Sequence, residues 1–255
     1  MRRLQKLRQA GHRLFVSSLY RRPFTIPGTT PVISFTFDDF PLSAKQHGAP
    51  ILENYGGRGT YYAGLSLMGT QDRGVSLFRR QDVQDLAADG HEIGCHTYHH
   101  IDAQRISVEA YRASLIENQK QIRTLFPELT LESFSYPFGG ITPSAKKVAG
   151  EHYTTCRTIW PGINKKNVDL RLLRANKLYS NTIAVADCKR LIDSNARARG
   201  WLIFYTHDVC EAPSPVGCTP AYLETVVRYA AESGTLLHPV GKAFSVLASQ
   251  GKQGR

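Results

Sequence analysis

Apolar positions along the chain follow two periods that take turns. Val32–Phe37 is a β-branched and aromatic run that stops abruptly at Asp38-Asp39, the pattern of a buried strand. Thr60–Ala63 and Glu92–Cys95 read the same way. Between them lies a helix over Gln81–Ala88, with Gly90 placed for its C-terminal left-handed residue. From Ser107 to Phe126, the residues Val108, Tyr111, Leu115, Ile122 and Leu125 keep helical spacing, and Ser107 is suited to cap the first turn. Leu131–Tyr136 follows as a strand and runs into Pro137-Phe138-Gly139. Thr142-Pro143 opens a further helix that Gly150 is expected to close. Tyr153–Thr158 and Arg171–Leu178 read as strands, Ala184–Ala198 as a helix stopping at Gly200, and Trp201–Thr206 as the most apolar strand. A last helix starts at Thr219-Pro220 and ends at Gly234, and Leu236–Val240 completes the alternation.

Strands alternating with helices in this way imply an α/β domain on a parallel sheet, open or closed. The residues able to do chemistry fall at the ends of several different strands, which favours a barrel. No linker or repeat divides the chain. The expected organisation is a basic N-terminal arm (1–30), one catalytic domain (31–245) and a C-terminal tail (246–255).

Of the 255 residues, 42% are hydrophobic and 21% charged, which fits a globular chain and excludes disorder, collagen and coiled coil. The longest apolar runs fall far short of the about 20 residues a membrane span needs. Charge changes the picture at one end. The formal net charge is +11, and residues 1–37 hold Arg2, Arg3, Lys6, Arg8, Arg13, Arg21 and Arg22 without a single acid. An arm of this kind suits an anionic membrane face or an acidic substrate, and equally a solvated extension; the expected contact is a peripheral one with membrane, and nucleic acid is not expected, because charge alone is non-specific. Leu14-Phe15-Val16 is too short for the apolar core of a secretory leader. The five cysteines form no CxxC pair and read as reduced thiols. The expected setting is cytoplasmic, with the arm peripheral at the inner membrane face.

Three strand ends carry candidate chemistry. Asp38 and Asp39 are adjacent and point to opposite sides, so one carboxylate can bind a metal while the other serves as a base. The stretch 91–100 holds His91, His96, His99 and His100, and a helical turn would put His96 and His100 on one face at the spacing that lets two imidazoles share an ion. His207 closes the apolar strand Trp201–Thr206 and can change protonation near neutral pH. Trp160, in a loop after a strand, is a candidate for stacking on a sugar.

Thr36-Phe37-Asp38-Asp39, then His96-Thr97-x-x-His100, then Tyr136-Pro137-Phe138-Gly139, then His207 after an apolar strand: this series resembles the polysaccharide deacetylases of carbohydrate esterase family 4, the NodB-homology group. The likeness covers roughly Pro31 to Val240. It implies a distorted (β/α)7 TIM-like barrel and one divalent ion, most often Zn2+, with Asp39, His96 and His100 as ligands. Asp38 would be the base that activates water, and His207 the acid that protonates the leaving group. The backbone N–H of Phe138 would stabilise the oxyanion, with Tyr136 beside it toward substrate. Many members carry an arginine in the third motif that braces the catalytic aspartate. Here Ser135 stands at that place. Arg174 is expected to take over from a neighbouring strand end, and Asp169 to be the carboxylate partner of His207.

The reading that follows is a metal-dependent hydrolase removing N-acetyl groups from an amino sugar, in an oligo- or polysaccharide or an envelope or lipid-linked glycan precursor. The same machinery would serve O-acetyl esters or non-sugar amides. A non-catalytic glycan-binding module is a second class, against which Asp38 and His207 are both present. Two histidines and a carboxylate also suit a non-haem iron oxygenase, but such enzymes usually use an all-β scaffold.

Overall fold

The computed structural model describes residues 2–72 and 74–253. Helix α1 (Arg2–Ser18) leads into the short strand β1 (Pro23–Thr25) and then into β2 (Val32–Asp38), every residue of which is buried. A π-helical turn (Ala44–Gly48) continues into α2 (Ala49–Asn54), a helical stretch that the apolar pattern does not announce. Next come β3 (Thr60–Ala63), the small ribbon β4 (Gln71–Asp72) and β5 (Val75–Ser76), α3 (Arg80–Ala88) and β6 (Glu92–Cys95). Helix α4 (Val108–Leu125) begins where expected, the Ser107 hydroxyl accepting from the Ala110 N–H. Strand β7 (Ser133–Ser135), α5 (Pro143–His152), β8 (Thr155–Arg157), β9 (Asn167–Asp169) and β10 (Asn176–Lys177) follow. The chain ends with α6 (Val185–Ala198), β11 (Trp201–Thr206), α7 (Pro220–Glu232), β12 (Leu236–Leu237) and α8 (Val240–Gln253).

Seven parallel strands run in the order β10-β11-β2-β3-β6-β7-β8. Strand β12 pairs with the first half of β2 at Val32 and Ile33, and β3 takes its second half from Thr36 to Asp38. A bridge between Arg157 and Leu173 links β8 to the chain entering β10, so the sheet curls back on itself. The result is a distorted (β/α)7 barrel. Its inner strands are near-continuous apolar runs because both faces are covered. Phe35 stacks on Phe204, and Phe37 on Tyr61, in the core beneath the C-terminal ends of the strands.

Four local expectations change. The stretch 171–178 is strand only at Asn176–Lys177, because Leu170, Leu172 and Leu173 are buried from an irregular segment. Gly150 does not end α5, which continues to His152. A Cβ at Gly150 would lie 2.0 Å from Arg171 Nε, so the glycine is there for close approach. The stretch 246–255 is no tail as far as Gln253: α8 runs through it and seats Leu247 in the core. The basic arm is likewise built into the fold. Val16 of α1 is fully buried, and β1 pairs antiparallel with β9.

One buried cation ties the arm down. Lys146 Nζ, on α5, donates to the carbonyls of Val16 and Leu19 and lies 2.7 Å from Asp169 Oδ2. Arg22 adds bonds to the carbonyls of Gly150, Tyr153 and Thr154. Removing one partner of a buried pair strands the other charge, which costs about 3–5 kcal/mol. Lys146→Met is therefore expected to lower the unfolding free energy by that amount and to expose α1 to proteolysis, measured by equilibrium urea unfolding and limited digestion.

Candidate active site

The candidate residues gather at the C-terminal ends of β2, β6 and β11, the end at which barrels of this kind do chemistry. Asp38 is the last residue of β2. Asp39 and Phe40 then both take left-handed conformations (φ 60° and 50°), a sharp turn that sends the two carboxylates different ways. Asp39 Oδ1 lies 3.0 Å from His100 Nε2 and 3.4 Å from His96 Nε2, and its Oδ2 lies 3.7 Å from His207 Nε2. The ligand atoms of Asp39, His96 and His100 all fall within 4.8 Å of one another.

The two histidines do not reach this place on a helix. Residues 96–100 form an irregular turn with Thr97 and His100 both at positive φ (57° and 50°), pinned by the Ile101 N–H donating to the Thr97 hydroxyl. The expected helical turn gives way to a tighter loop, and the pair still converges. His96 is fixed further. Its Nδ1 is 2.8 Å from the Ser135 carbonyl, which can only accept, so Nδ1 carries the proton and the lone pair of Nε2 faces Asp39.

Electrostatics support a cation here. Burial drives the His96 pKa down to about 3 and lowers that of His100, so both imidazoles are neutral at pH 7. Burial also lifts Asp39 to about 6. Asp39 Oδ1 is buried and has no hydrogen-bond donor among the described residues. Two imidazole lone pairs and an orphaned carboxylate oxygen facing one point suit a divalent ion such as zinc, and leave further positions open.

Asp38 is held apart from this trio by a residue outside the quoted motifs. Arg157, fully buried at the end of β8, donates from Nη2 to Asp38 Oδ1 and to the Ser135 hydroxyl (2.6 Å). Its guanidinium lies between the rings of Tyr62 and Tyr205, 5.0 Å from each centroid. Burial, the largest single effect, would raise the Asp38 pKa, but the Arg157 charge and hydrogen bond, together with His96 and His207, outweigh it and keep the carboxyl below its ordinary range. Ser135 and Arg157 are register partners on β7 and β8. The bracing guanidinium thus comes from one strand over, across the small serine that leaves room for it.

The other candidates sit as follows. Arg174 is exposed, and its Nη1 donates to the Pro161 carbonyl, so it does not brace Asp38. Asp169 belongs to the α1 anchor: it pairs with Lys146 and accepts from the Arg22 and Arg171 N–H groups, and gives His207 nothing. His207 Nδ1 is buried without a hydrogen-bond partner among the described residues, and the ring of Tyr179 lies beside it, with centroids 6.1 Å apart. Tyr136 is buried, its hydroxyl donating to the Arg171 carbonyl, which places it in the core. Trp160 is 9% exposed, with the Arg13 guanidinium 5.4 Å from its ring centroid, so its face is already covered. Phe138 is 62% exposed at positive φ (57°), its ring packed against His100 with centroids 4.5 Å apart.

Comparison with solved structures places the fold. The carbohydrate esterase domain of a multidomain xylanase from the hindgut metagenome of Trinervitermes trinervoides aligns over 85% of this chain and 91% of its own, at 16% identity and a TM-score of 0.56. Peptidoglycan deacetylase PdaC from Bacillus subtilis aligns over 89% and 94%, at 17% identity and a TM-score of 0.54. The alignment with IcaB from Ammonifex degensii spans 55% of this chain and 64% of that one, at 20% identity and a TM-score of 0.49. No curated protein sequence matches. The family model described as polysaccharide deacetylase matches residues 25–156, which span β2, β3, β6, β7 and nearly all of β8. With the two Asp and two His of the first two motifs inside that match, the chain belongs to the polysaccharide deacetylase family.

Proposed function

We propose that this protein is a divalent-metal-dependent hydrolase that removes N-acetyl groups from an amino sugar of an oligo- or polysaccharide, or of an envelope or lipid-linked glycan precursor. The observation that carries the reading is the pairing of two sets: Asp39, His96 and His100 converging on one point, and Asp38 kept ionised beside them by Arg157.

A cation held by Asp39, His96 and His100 would polarise the acetyl carbonyl and make water more acidic at neutral pH. The residues around it divide the remaining work. Asp38 takes the proton of the attacking water, and Arg157 fixes its orientation and charge. The Phe138 N–H, on an exposed left-handed turn against His100, donates to the oxyanion as it develops. His207 gives a proton to the departing amine, which leaves poorly without one.

Five unpaired cysteines support a cytoplasmic setting. No helix among the described residues is long and apolar enough to cross a membrane. Exposed Leu14 and Phe15 on α1, with the acid-free basic run of residues 1–37, support a peripheral contact with an anionic membrane surface.

The test is acetate release by zinc-reconstituted protein from N-acetylglucosamine oligomers, nucleotide-linked and lipid-linked N-acetyl sugars, and O-acetylated sugars. Release from one N-acetylated class, abolished by Asp38→Asn, is the expected result. Release confined to O-acetyl sugars would replace the reading with an esterase. No release from any substrate, with metal bound, would overturn it.

A further inference from the structure

Helix α1 does more than lie beside the domain. Its last turns wall a cleft of about 450 Å³ lined by His12, Arg13, Gln104, Gly139, Ile159 and Trp160. A volume of this order suits a small polar ligand such as a sugar unit. Two loops frame both this cleft and the candidate metal site. Gln104 belongs to the loop that carries His100, and Gly139 follows Phe138 directly. The cleft therefore adjoins the reaction site on the same face of the barrel.

The wall is positioned rather than draped. A carbonyl only accepts, so His12 donates from Nε2 to the Ile141 carbonyl at 2.8 Å. Val16 is buried behind it, and Lys146 holds the carbonyls of Val16 and Leu19. Arg13 is placed differently from the other described arginines near it. Its guanidinium stacks on Trp160, and among the described residues no carboxylate pairs with it. Arg22 and Arg171, by contrast, spend their N–H groups on backbone carbonyls. A stacked guanidinium with its N–H fork unspent at the side of a cleft is a receptor for a planar or tetrahedral anion.

Building on the deacetylase reading above, we propose that Arg13 on α1 binds an anionic substituent, a phosphate or a carboxylate, on the glycan unit next to the one that loses its acetyl group. Helix α1 then sets substrate choice, and the acid-free run has a local as well as a surface use.

Trp160 reports on this directly, because the only other tryptophan, Trp201, is buried in β11. Tryptophan fluorescence of the full chain is titrated with N-acetylglucosamine, N-acetylglucosamine 1-phosphate and N-acetylmuramic acid. Arg13→Met, which keeps packing over the indole, and Arg13→Lys, which keeps charge, are run alongside. The expected result is saturable binding of at least one anionic sugar, about tenfold tighter than the neutral one, lost in Arg13→Met and largely kept in Arg13→Lys. In acetate release, the preference of kcat/KM for anionic over neutral oligosaccharides falls by the same factor in Arg13→Met. Equal affinity for charged and neutral sugars, or a preference that survives Arg13→Met, would overturn the proposal. Anion binding without any acetate release would keep the Arg13 site and remove the deacetylase reading. Acetate release with no charge preference would do the reverse.

Discussion

Replacing Arg157 with methionine is expected to lower kcat by about 10²–10³-fold, and to cost about 3–5 kcal/mol of stability. Both effects follow from one geometry. The guanidinium is fully buried between Tyr62 and Tyr205 and donates to Asp38, itself 4% exposed. Without it, burial loses its largest counterweight and pushes the Asp38 carboxyl toward the protonated form, which cannot accept a proton from water. The carboxylate is also freed to rotate. The measurements are steady-state kinetics and urea unfolding of Arg157→Met, Asp38→Asn and the double variant. The double variant should be more stable than Arg157→Met, because no uncompensated charge remains inside. Activity should not return with it. A reciprocal exchange, Ser135→Arg with Arg157→Ser, should regain part of the lost kcat, since the two positions are register neighbours and both can aim a guanidinium at Asp38. An Arg157→Met enzyme with unaltered kcat would remove Asp38 from the role of base.

Substituting His96 or His100 by alanine is expected to take the bound divalent ion from about one per chain to near none, and acetate release with it. Loss of an outer hydrogen-bond partner typically costs 10–100-fold in affinity, and loss of a ligand costs more. Among the described residues, each histidine supplies one of three ligand atoms facing the same point. Elemental analysis after dialysis against a weak chelator reads the ion directly, independent of turnover. Lys146→Met, far from that point, should keep its ion and so separates metal loss from general loosening. Retention of metal by His96→Ala would mean that the ion sits elsewhere.

The two variants differ in how visible their residues are along the chain. His96 and His100 stand out because four histidines crowd into ten residues around a short strand. Packing does not call for that. Arg157 lies in the run Tyr153–Thr158, and its signal is of a different kind. A charge inside an apolar strand must find a partner when the strand is buried, so the arginine announced a buried ion pair without announcing its mate. Arg174 is the opposite case, a basic residue that the sequence places at a neighbouring strand end. That strand is largely absent, and the residue turns outward to Pro161. The C-terminal stretch carries a local signal of its own: Val240, Ala243, Phe244 and Leu247 keep the helical spacing of α8.

Hydrophobic periodicity is a local property, and what it determines is local. It placed the strands β2, β3, β6 and β11, the helices α3, α4, α6 and α7, and the polar residues at strand ends, where exposed chemistry must fall. Partner choice is not local. Which guanidinium reaches Asp38 depends on β7 and β8 being neighbours in register, and which carboxylate anchors Lys146 depends on β9 folding back against β1. The docking of α1 beside the Phe138 turn depends on α5, more than a hundred residues later in the chain. A strand's pattern says that one side is buried, and only the assembled sheet decides against what.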